Sequence, residues 1–263
     1  MARVDYDEMS ARYNAGRHLD DWQVEPLRAE ISTHLLDSVR RVLDLGSGTG
    51  QWSARLARWF DVDVVGIEPS AGMRDHAMRA ERVSYVAGAA EAVPLRANVV
   101  DAAWLSVVVH HFDDLRQAAR EIRRTVRAGG AVMLRTAVPD LMPHDAAEVE
   151  DCVRGAGMDG TVMYAGLLFP TSLDVIHTFP SLAELDAAFG GAGFGRVQAG
   201  LVAQGQAVSM REFRDRVAVR ADSTLVPVPD DEWVRGMDRL DAMVEAEIVP
   251  TPVVAALPFV VYR

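Results

Sequence analysis

Three glycines, each separated from the next by one residue, follow a short apolar run near residue 45. The run is Val42–Leu45, it contains the acid Asp44, and the glycine turn spans residues 46–50. A glycine has no side chain, so a ligand can approach the backbone closely at such a turn. A strand, a glycine turn and a helix in that order form a nucleotide-binding site. We therefore expect ligand contacts from Asp44, Gly46, Ser47, Gly48 and Gly50.

The residues around the turn restrict the kind of ligand. Gln51 stands where a dinucleotide fingerprint has a further glycine, and Asp44 would repel a pyrophosphate. Glu68 ends the next apolar run about 20 residues beyond the turn, where an acid accepts hydrogen bonds from ribose hydroxyls. A ligand with a ribose and a cation but without phosphate therefore suits these residues better than a dinucleotide does.

Two later segments follow strand ends that we predict to lie at the same edge of the sheet. They are Gly88–Leu95, a turn with an acid at Glu91, and Trp104–Asp113, which contains a pair of histidines. With the glycine turn and Glu68 they resemble the class I S-adenosylmethionine-dependent methyltransferases, continuously over residues 42–136. Each motif alone is weak evidence for this family, whereas their order along the chain is specific for it.

The resemblance implies a role for each matching segment. Ala89, Ala90 and Glu91 would read the adenine, although Ala89 replaces an Asp that is frequent in the family. Leu105, Ser106 and His110 would touch the methionine half of the cofactor. Pro69 opens the helix after Glu68, and Met73 on that helix either faces the adenine or fills the core.

The segment Tyr6–Arg17 resembles the N-terminal segment that folds over the cofactor in many small-molecule members of this family. By that resemblance Tyr13 would line the methyl-transfer site and Arg17 would pair with the cofactor carboxylate. The other interpretation is a solvated polar lead-in, since chain termini are often poorly ordered.

Methyl transfer to a hydroxyl or a protonated amine needs a base, and histidine is the natural choice. His110 and His111 are the first candidates because they leave the fourth strand toward the site. In the alternative, one of them bonds the backbone and the other contacts the cofactor. His144 and His177 are further candidates, whereas His18, His34 and His76 are predicted at the surface. We predict no metal site, because no cluster has ligand spacing.

Short apolar runs alternate with helical patterns from residue 42 onward, which is typical of a parallel sheet. Strands are predicted at 42–45, 63–68, 84–87, 99–105, 131–136, 196–203 and 257–262. Helices are predicted at 24–39, 114–127 with Asp113 as N-cap and a glycine stop at 128–130, 180–189, 209–220 and 230–247. This indicates a doubly wound, Rossmann-like α/β fold with a seven-stranded, mostly parallel sheet.

We predict one methyltransferase domain over residues 1–263. Its core would comprise residues 24–137, 180–203 and 253–263, with an N-terminal lid at 1–20. Two less regular segments, 138–180 and 206–252, would form a cap over the strand tips.

The net charge of −11 argues against a protein that binds nucleic acid, because such affinity depends on clustered basic residues. No apolar stretch approaches the ~18 residues of a membrane span. The single cysteine, Cys152, fits a reducing, cytoplasmic compartment. The oligomeric state stays open.

The sequence therefore predicts S-adenosylmethionine-dependent methylation of an O or N nucleophile on a small molecule, in specialised biosynthesis. One alternative binds S-adenosylmethionine and catalyses a rearrangement without methyl transfer. A further alternative, with less support from the glycine turn, is an NAD-dependent oxidoreductase.

Overall fold

The computed structural model describes residues 6–263, so the first five residues of the predicted lid lie outside the described part. The described chain contains one sheet of eight strands. The strands are β1 (Arg41–Leu45), β2 (Asp63–Glu68), β3 (Val83–Ala87), β4 (Val100–Ser106), β5 (Val126–Arg135), β6 (Thr161–Val162), β7 (Arg196–Ala207) and β8 (Val253–Tyr262). The helices are α1 (Tyr6–Arg17), α2 (Asp21–His34), α3 (Gln51–Phe60), α4 (Ala71–Asp75), α5 (Leu115–Thr125), α6 (Ala146–Gly155), α7 (Ala165–Leu168), α8 (Pro170–Ile176), α9 (Leu182–Gly191), α10 (Met210–Ala218) and α11 (Asp230–Ala246).

The sheet order is β3-β2-β1-β4-β5-β8, and β6 and β7 both pair with β8. Strands β1 to β5 are parallel, whereas β8 runs antiparallel to β5 and to β7. The predicted Rossmann-like, mostly parallel sheet is confirmed. The predicted number of seven strands is wrong, because β6, a two-residue strand, adds an eighth beside Val253 and Val254.

Both faces of the sheet are covered by helices, as the continuous apolar strands predict. Alternate strand residues such as Val42, Ala102 and Met133 pack with α2 and α3 in one core. Their neighbours on the strands pack with α5 and α9 in the other core. The carboxyl ends of β1, β2, β4 and β5 therefore meet at one edge between two rigid layers.

Several predicted element boundaries are wrong. The helix predicted at 24–39 spans Asp21–His34 instead, and Leu36, inside the predicted range, lies beyond its end and is exposed. The helix predicted to continue to residue 127 ends at Thr125, and the glycine at 129 lies inside β5, where the register with β4 shifts. Its N-cap is Asp114, whose carboxylate accepts the amide of Gln117, rather than Asp113.

Strands β7 and β8 are each four residues longer than predicted, because they pair with each other as far as Ala207 and Val253. Segment 138–180, expected to be irregular, contains α6, α7, α8 and β6.

The two segments predicted as cap insertions share a small core of their own. Phe169 and Leu168 from the first segment pack with Phe213, Leu225 and Leu240 from the second. None of the helices described over residues 6–263 has the length and apolar character needed to span a membrane.

Candidate active site

The glycine turn between β1 and α3 adopts left-handed backbone at Gly46, Gly48 and Gly50, with φ of 73°, 54° and 75°. A Cβ at Gly46 would lie 2.2 Å from Val108, and one at Gly50 would lie 1.9 Å from the Tyr85 hydroxyl. A Cβ at Gly48 would meet no atom within 4 Å. Packing therefore requires glycine at positions 46 and 50, whereas Gly48 leaves open space.

Glu68, the last residue of β2, holds this turn in place. Its carboxylate accepts the amide of Gly48 at 2.9 Å and the amide of Ser70 at 2.9 Å. Burial raises the pKa of Glu68, and the two backbone hydrogen bonds oppose that shift. A carboxylate has about four acceptor positions, so Glu68 retains capacity for a sugar hydroxyl.

Asp44 lies next to the turn as a second buried acid. It accepts a 2.6 Å hydrogen bond from the Ser53 hydroxyl, which ties β1 to α3. Burial raises the pKa of Asp44 to about 7, and the nearby Glu68 contributes to the increase. Two neighbouring buried carboxylates favour a cationic ligand over a phosphate. The acids and the open space at Gly48 together fit S-adenosylmethionine, which carries a sulfonium and an ammonium.

A cavity of about 250 Å³ opens at the carboxyl edge of the sheet beside the glycine turn. Val107, which follows β4, lines the cavity and has a φ of 54°. A β-branched residue in this region is strained, and strain of this kind clusters at functional sites. Six of the predicted site residues line the cavity: Tyr13, Arg17, Gly46, Ser47, Gly48 and Ser106.

Much of the remaining cavity wall is apolar and comes from the two insertions. Met142 and Ile176 belong to the first insertion, and Phe213 and Leu225 to the second. Segments 138–180 and 206–252 thus supply an apolar part of the cavity wall.

The two predicted catalytic histidines lie in a 3-10 turn after β4 and differ in their surroundings. His110 stacks on Phe179 with ring centroids 3.8 Å apart, and neither ring nitrogen has a hydrogen-bond partner among the described residues. Burial lowers the pKa of His110 to about 3, and the adjacent His111 contributes. His111 instead forms a 2.7 Å hydrogen bond with the Tyr6 hydroxyl. Neither side chain lines the cavity.

Of the other histidines, His144 and His177 are exposed and do not line the cavity. The prediction of a surface position is wrong for His34, whose ring is 13% exposed and contacts Gln198 and Phe259.

Helix α1 is fastened to the site at several points. Asn14 accepts hydrogen bonds from Thr49 and Gln51, next to the glycine turn. Arg17 forms an ion pair with Asp222 of the second insertion. The Arg17 guanidinium, predicted to pair with the cofactor carboxylate, therefore already has an anionic partner within the chain.

Several predicted cofactor residues have other contacts. The side chain of Leu105 is fully buried in the core under α5, and the predicted contact of this residue with the cofactor stays a prediction. Glu91 accepts the amides of Asp113 and Asp114 and so binds the start of α5. The remaining residues do not line the cavity: Asp44, Gly50, Glu68, Pro69, Met73, Ala89 and Ala90. Met73 is 2% exposed, which agrees with the second of its two interpretations, a side chain that fills the core.

Arg135, Gln204, Trp52 and Asp222 line the cavity and were not predicted. A charged residue directly after the apolar run of β5 was a usable signal for Arg135, by the reasoning applied to Glu68. Asp222 and Gln204 carry no local signal, because only the folded insertion and the edge strand bring them to the site.

Comparison with known proteins identifies the segment that carries the glycine turn. Residues 43–134 match the family model of the methyltransferase domain. An uncharacterized methyltransferase of Mycobacterium tuberculosis (strain H37Rv) is 41% identical over 99 residues, covering 37% of this chain and 40% of the relative. A malonyl-[acyl-carrier protein] O-methyltransferase of Methylovorus is 29% identical over 220 residues, covering 72% and 74% of the two chains.

Among solved structures, a protein assigned to the methyltransferases of an antibiotic biosynthesis pathway in Anabaena variabilis superposes with a TM-score of 0.66. It is 20% identical and is matched over 93% of this chain and 100% of its own. The chain spans about two fifths of the length of the first curated relatives it matches. The family match, the sheet order and the glycine turn agree, and residues 43–134 form a domain of the methyltransferase family with the fold of class I S-adenosylmethionine-dependent enzymes.

Proposed function

We propose that this protein transfers a methyl group from S-adenosylmethionine to an oxygen or nitrogen of a small molecule. The observation that carries the proposal is the glycine turn, in which Gly48 leaves open space beside the cavity while its amide is held by Glu68. The O-methyltransferase activity in the name of the Methylovorus relative supports transfer to oxygen.

Different residues of this chain would bind the cofactor and position the acceptor. Gly48 and Ser106 would contact the cofactor along the cavity, and Glu68 would accept a ribose hydroxyl while it orders the turn. When bound, S-adenosylmethionine supplies a methyl group on a sulfonium, which is already an electrophile. The chain has to hold the acceptor in line with that methyl group, and such positioning supplies roughly 7–11 kcal/mol of the barrier.

The insertions support a small-molecule acceptor. Their apolar side chains form part of the cavity wall, and the ion pair of Arg17 with Asp222, both of which line the cavity, joins α1 to the second insertion. An enclosed, mostly apolar pocket with a few polar groups is typical of small-molecule sites. The acidic net charge does not favour a nucleic acid, and the one cysteine supports a cytoplasmic location.

Calorimetric titration with S-adenosylhomocysteine and with NADH tests the cofactor part of the proposal. We expect micromolar binding of S-adenosylhomocysteine and no binding of NADH. Release of S-adenosylhomocysteine during turnover with an acceptor tests the transfer itself. Conversion of an acceptor without that release would contradict methyl transfer and favour the rearrangement.

A further inference from the structure

Arg135 ends β5 at the ligand edge, and its guanidinium is bonded to neutral oxygens. Its Nε donates to Gln204 Oε1 at 3.0 Å, and its Nη1 donates to Ser106 Oγ at 3.2 Å. A guanidinium is only a donor, so both partners must accept from it. The Gln204 amide nitrogen and the Ser106 hydroxyl hydrogen then remain to donate. The three side chains line the cavity, and each of them can offer it a hydrogen-bond donor.

Among the side chains that the structure describes, no carboxylate lies within ion-pair distance of Arg135, although the residue is only 6% exposed. Burial lowers the pKa of Arg135 to about 9; Arg17 contributes to this decrease, whereas Tyr13 and Asp222 oppose it, and the group is still a cation at neutral pH. A buried cation without an anion is destabilising, and a bound anion would relieve this. The planar fork of arginine matches a carboxylate in particular.

Among the described residues that line the cavity, there is one carboxylate and no histidine. Asp222 is the carboxylate that lines it, and although burial opposes the effect, Arg17 and Thr224 hold the pKa of Asp222 below its usual range. His110, beside the cavity, is too weak a base to take a proton at neutral pH. An acceptor that arrives already ionised avoids this difficulty. A carboxylate is such an acceptor.

We infer that Arg135 and Gln204 bind a carboxylate of the methyl acceptor, which the protein converts to its methyl ester. The inference rests on the proposed function. In the step, a carboxylate oxygen forms a bond to the methyl carbon, and the bond from that carbon to sulfur breaks with its electron pair left on sulfur. The negative charge of the carboxylate and the positive charge of the sulfonium cancel, so no proton is moved.

The position of Arg135 favours the acceptor over the cofactor as the source of the carboxylate. Glu68 on β2 and Arg135 on β5 are separated by three strand spacings, about 14 Å. The main partner of Arg135, Gln204, lies still farther along the sheet on β7. The surrounding wall from the insertions is apolar, so the acid should carry an aliphatic or aromatic body.

Binding to the protein saturated with S-adenosylhomocysteine tests the inference. The probes are benzoate and octanoate, each matched with its primary amide, and calorimetry measures their affinity. We expect the acids to bind at least tenfold more tightly than the amides. Arg135→Met should remove this preference, while the affinity for S-adenosylhomocysteine stays within twofold of wild type. Arg196→Met, a surface arginine at the other end of β7, is the matched control and should change neither.

The stability of the variant separates ligand binding from a structural role. If Arg135 serves a ligand, Arg135→Met should unfold at the same temperature as wild type or higher, because the removed charge is buried against only neutral oxygens and the Trp52 ring. Arg135→Gln provides a second neutral variant if methionine packs poorly. Labelled methyl transferred to either acid should be released as methanol in alkali, as expected for an ester.

Four results would overturn the inference: equal binding of acids and amides, no binding of either acid, an alkali-stable product, or a tenfold loss of S-adenosylhomocysteine affinity in Arg135→Met. The last result would assign the carboxylate to the cofactor. A different result would separate the inference from the proposed function. If the wild-type protein does not bind S-adenosylhomocysteine but still binds the acids through Arg135, the proposed function is overturned and the carboxylate subsite remains.

Discussion

Arg17 at the end of α1 contacts Asp222 of the second insertion through an ion pair of 2.5 Å between residues 205 positions apart. Both side chains are about one quarter to one third exposed, and both line the cavity. The pair therefore fastens the N-terminal helix to the insertion across the site that we assign to the cofactor and acceptor.

Asp222→Asn should destabilise the protein by about 2 kcal/mol, between the values typical of surface and buried pairs. A double-mutant cycle with Arg17→Met, followed by urea unfolding, measures the coupling. The exposed pair Arg235–Asp231 on α11 is the control and should couple much more weakly than Arg17 and Asp222. Equal coupling in both pairs would show that the lid is not held by this contact.

Gly48→Ala should weaken S-adenosylhomocysteine binding at least tenfold, because the new methyl group projects into open space beside the turn. The left-handed backbone adds a strain of roughly 1–2 kcal/mol. Gly157→Ala controls for that strain, since Gly157 has a φ of 70°, has no atom within 4 Å of an added Cβ, and does not line the cavity. Calorimetry should show a loss of S-adenosylhomocysteine affinity for Gly48→Ala and none for Gly157→Ala. Unchanged affinity would exclude this turn from the cofactor site.

Glu68→Ala should weaken S-adenosylhomocysteine binding by roughly 1–3 kcal/mol, the usual effect of leaving a polar partner unpaired. Methylthioadenosine, which has the ribose without the amino acid, should lose the same free energy. Glu68→Gln keeps one acceptor oxygen, so its affinity for S-adenosylhomocysteine should lie between those of the wild type and Glu68→Ala. A loss confined to S-adenosylhomocysteine would show that Glu68 does not hold the sugar.

Asp44 should make the protein less stable as the pH rises from about 4 to 7. Burial raises its folded pKa to about 7, whereas its unfolded value is 3.8, so the folded state holds the proton more tightly over this interval. The stabilising contribution of protonated Asp44 is present in full below pH 4 and is lost above pH 7. Asp44→Asn should flatten the dependence of the unfolding free energy on pH. Identical curves for the two proteins would contradict a protonated Asp44.

His110 should stay neutral from pH 5 to pH 8, because burial lowers its pKa to about 3. Proton NMR of the histidine ring resonances across this range measures its state, and His110→Phe identifies its signal. A His110 signal that titrates between pH 6 and pH 7 would restore it as a candidate base.

Much of the fold was determined by local sequence. The apolar runs specify strands buried on both faces, and the glycine turn has a chemistry that few other turns share. The capping pair Ser181 and Glu184 marks the start of α9, where the sequence places it. Errors arose where a short-range signal was ambiguous, as at Asp113 and Asp114, either of which is a suitable N-cap residue.

The tertiary structure alone decided which polar groups meet. Leu105 and Ser106 are adjacent in sequence, yet the alternation of a strand places one in the core and the other at the cavity. The contacts of Arg135 with Gln204 and of Arg17 with Asp222 join residues 69 and 205 positions apart. The sequence determined the cofactor class, because that site is built from contiguous turns. The acceptor site was decided by the packing of separate segments, for which no local pattern exists.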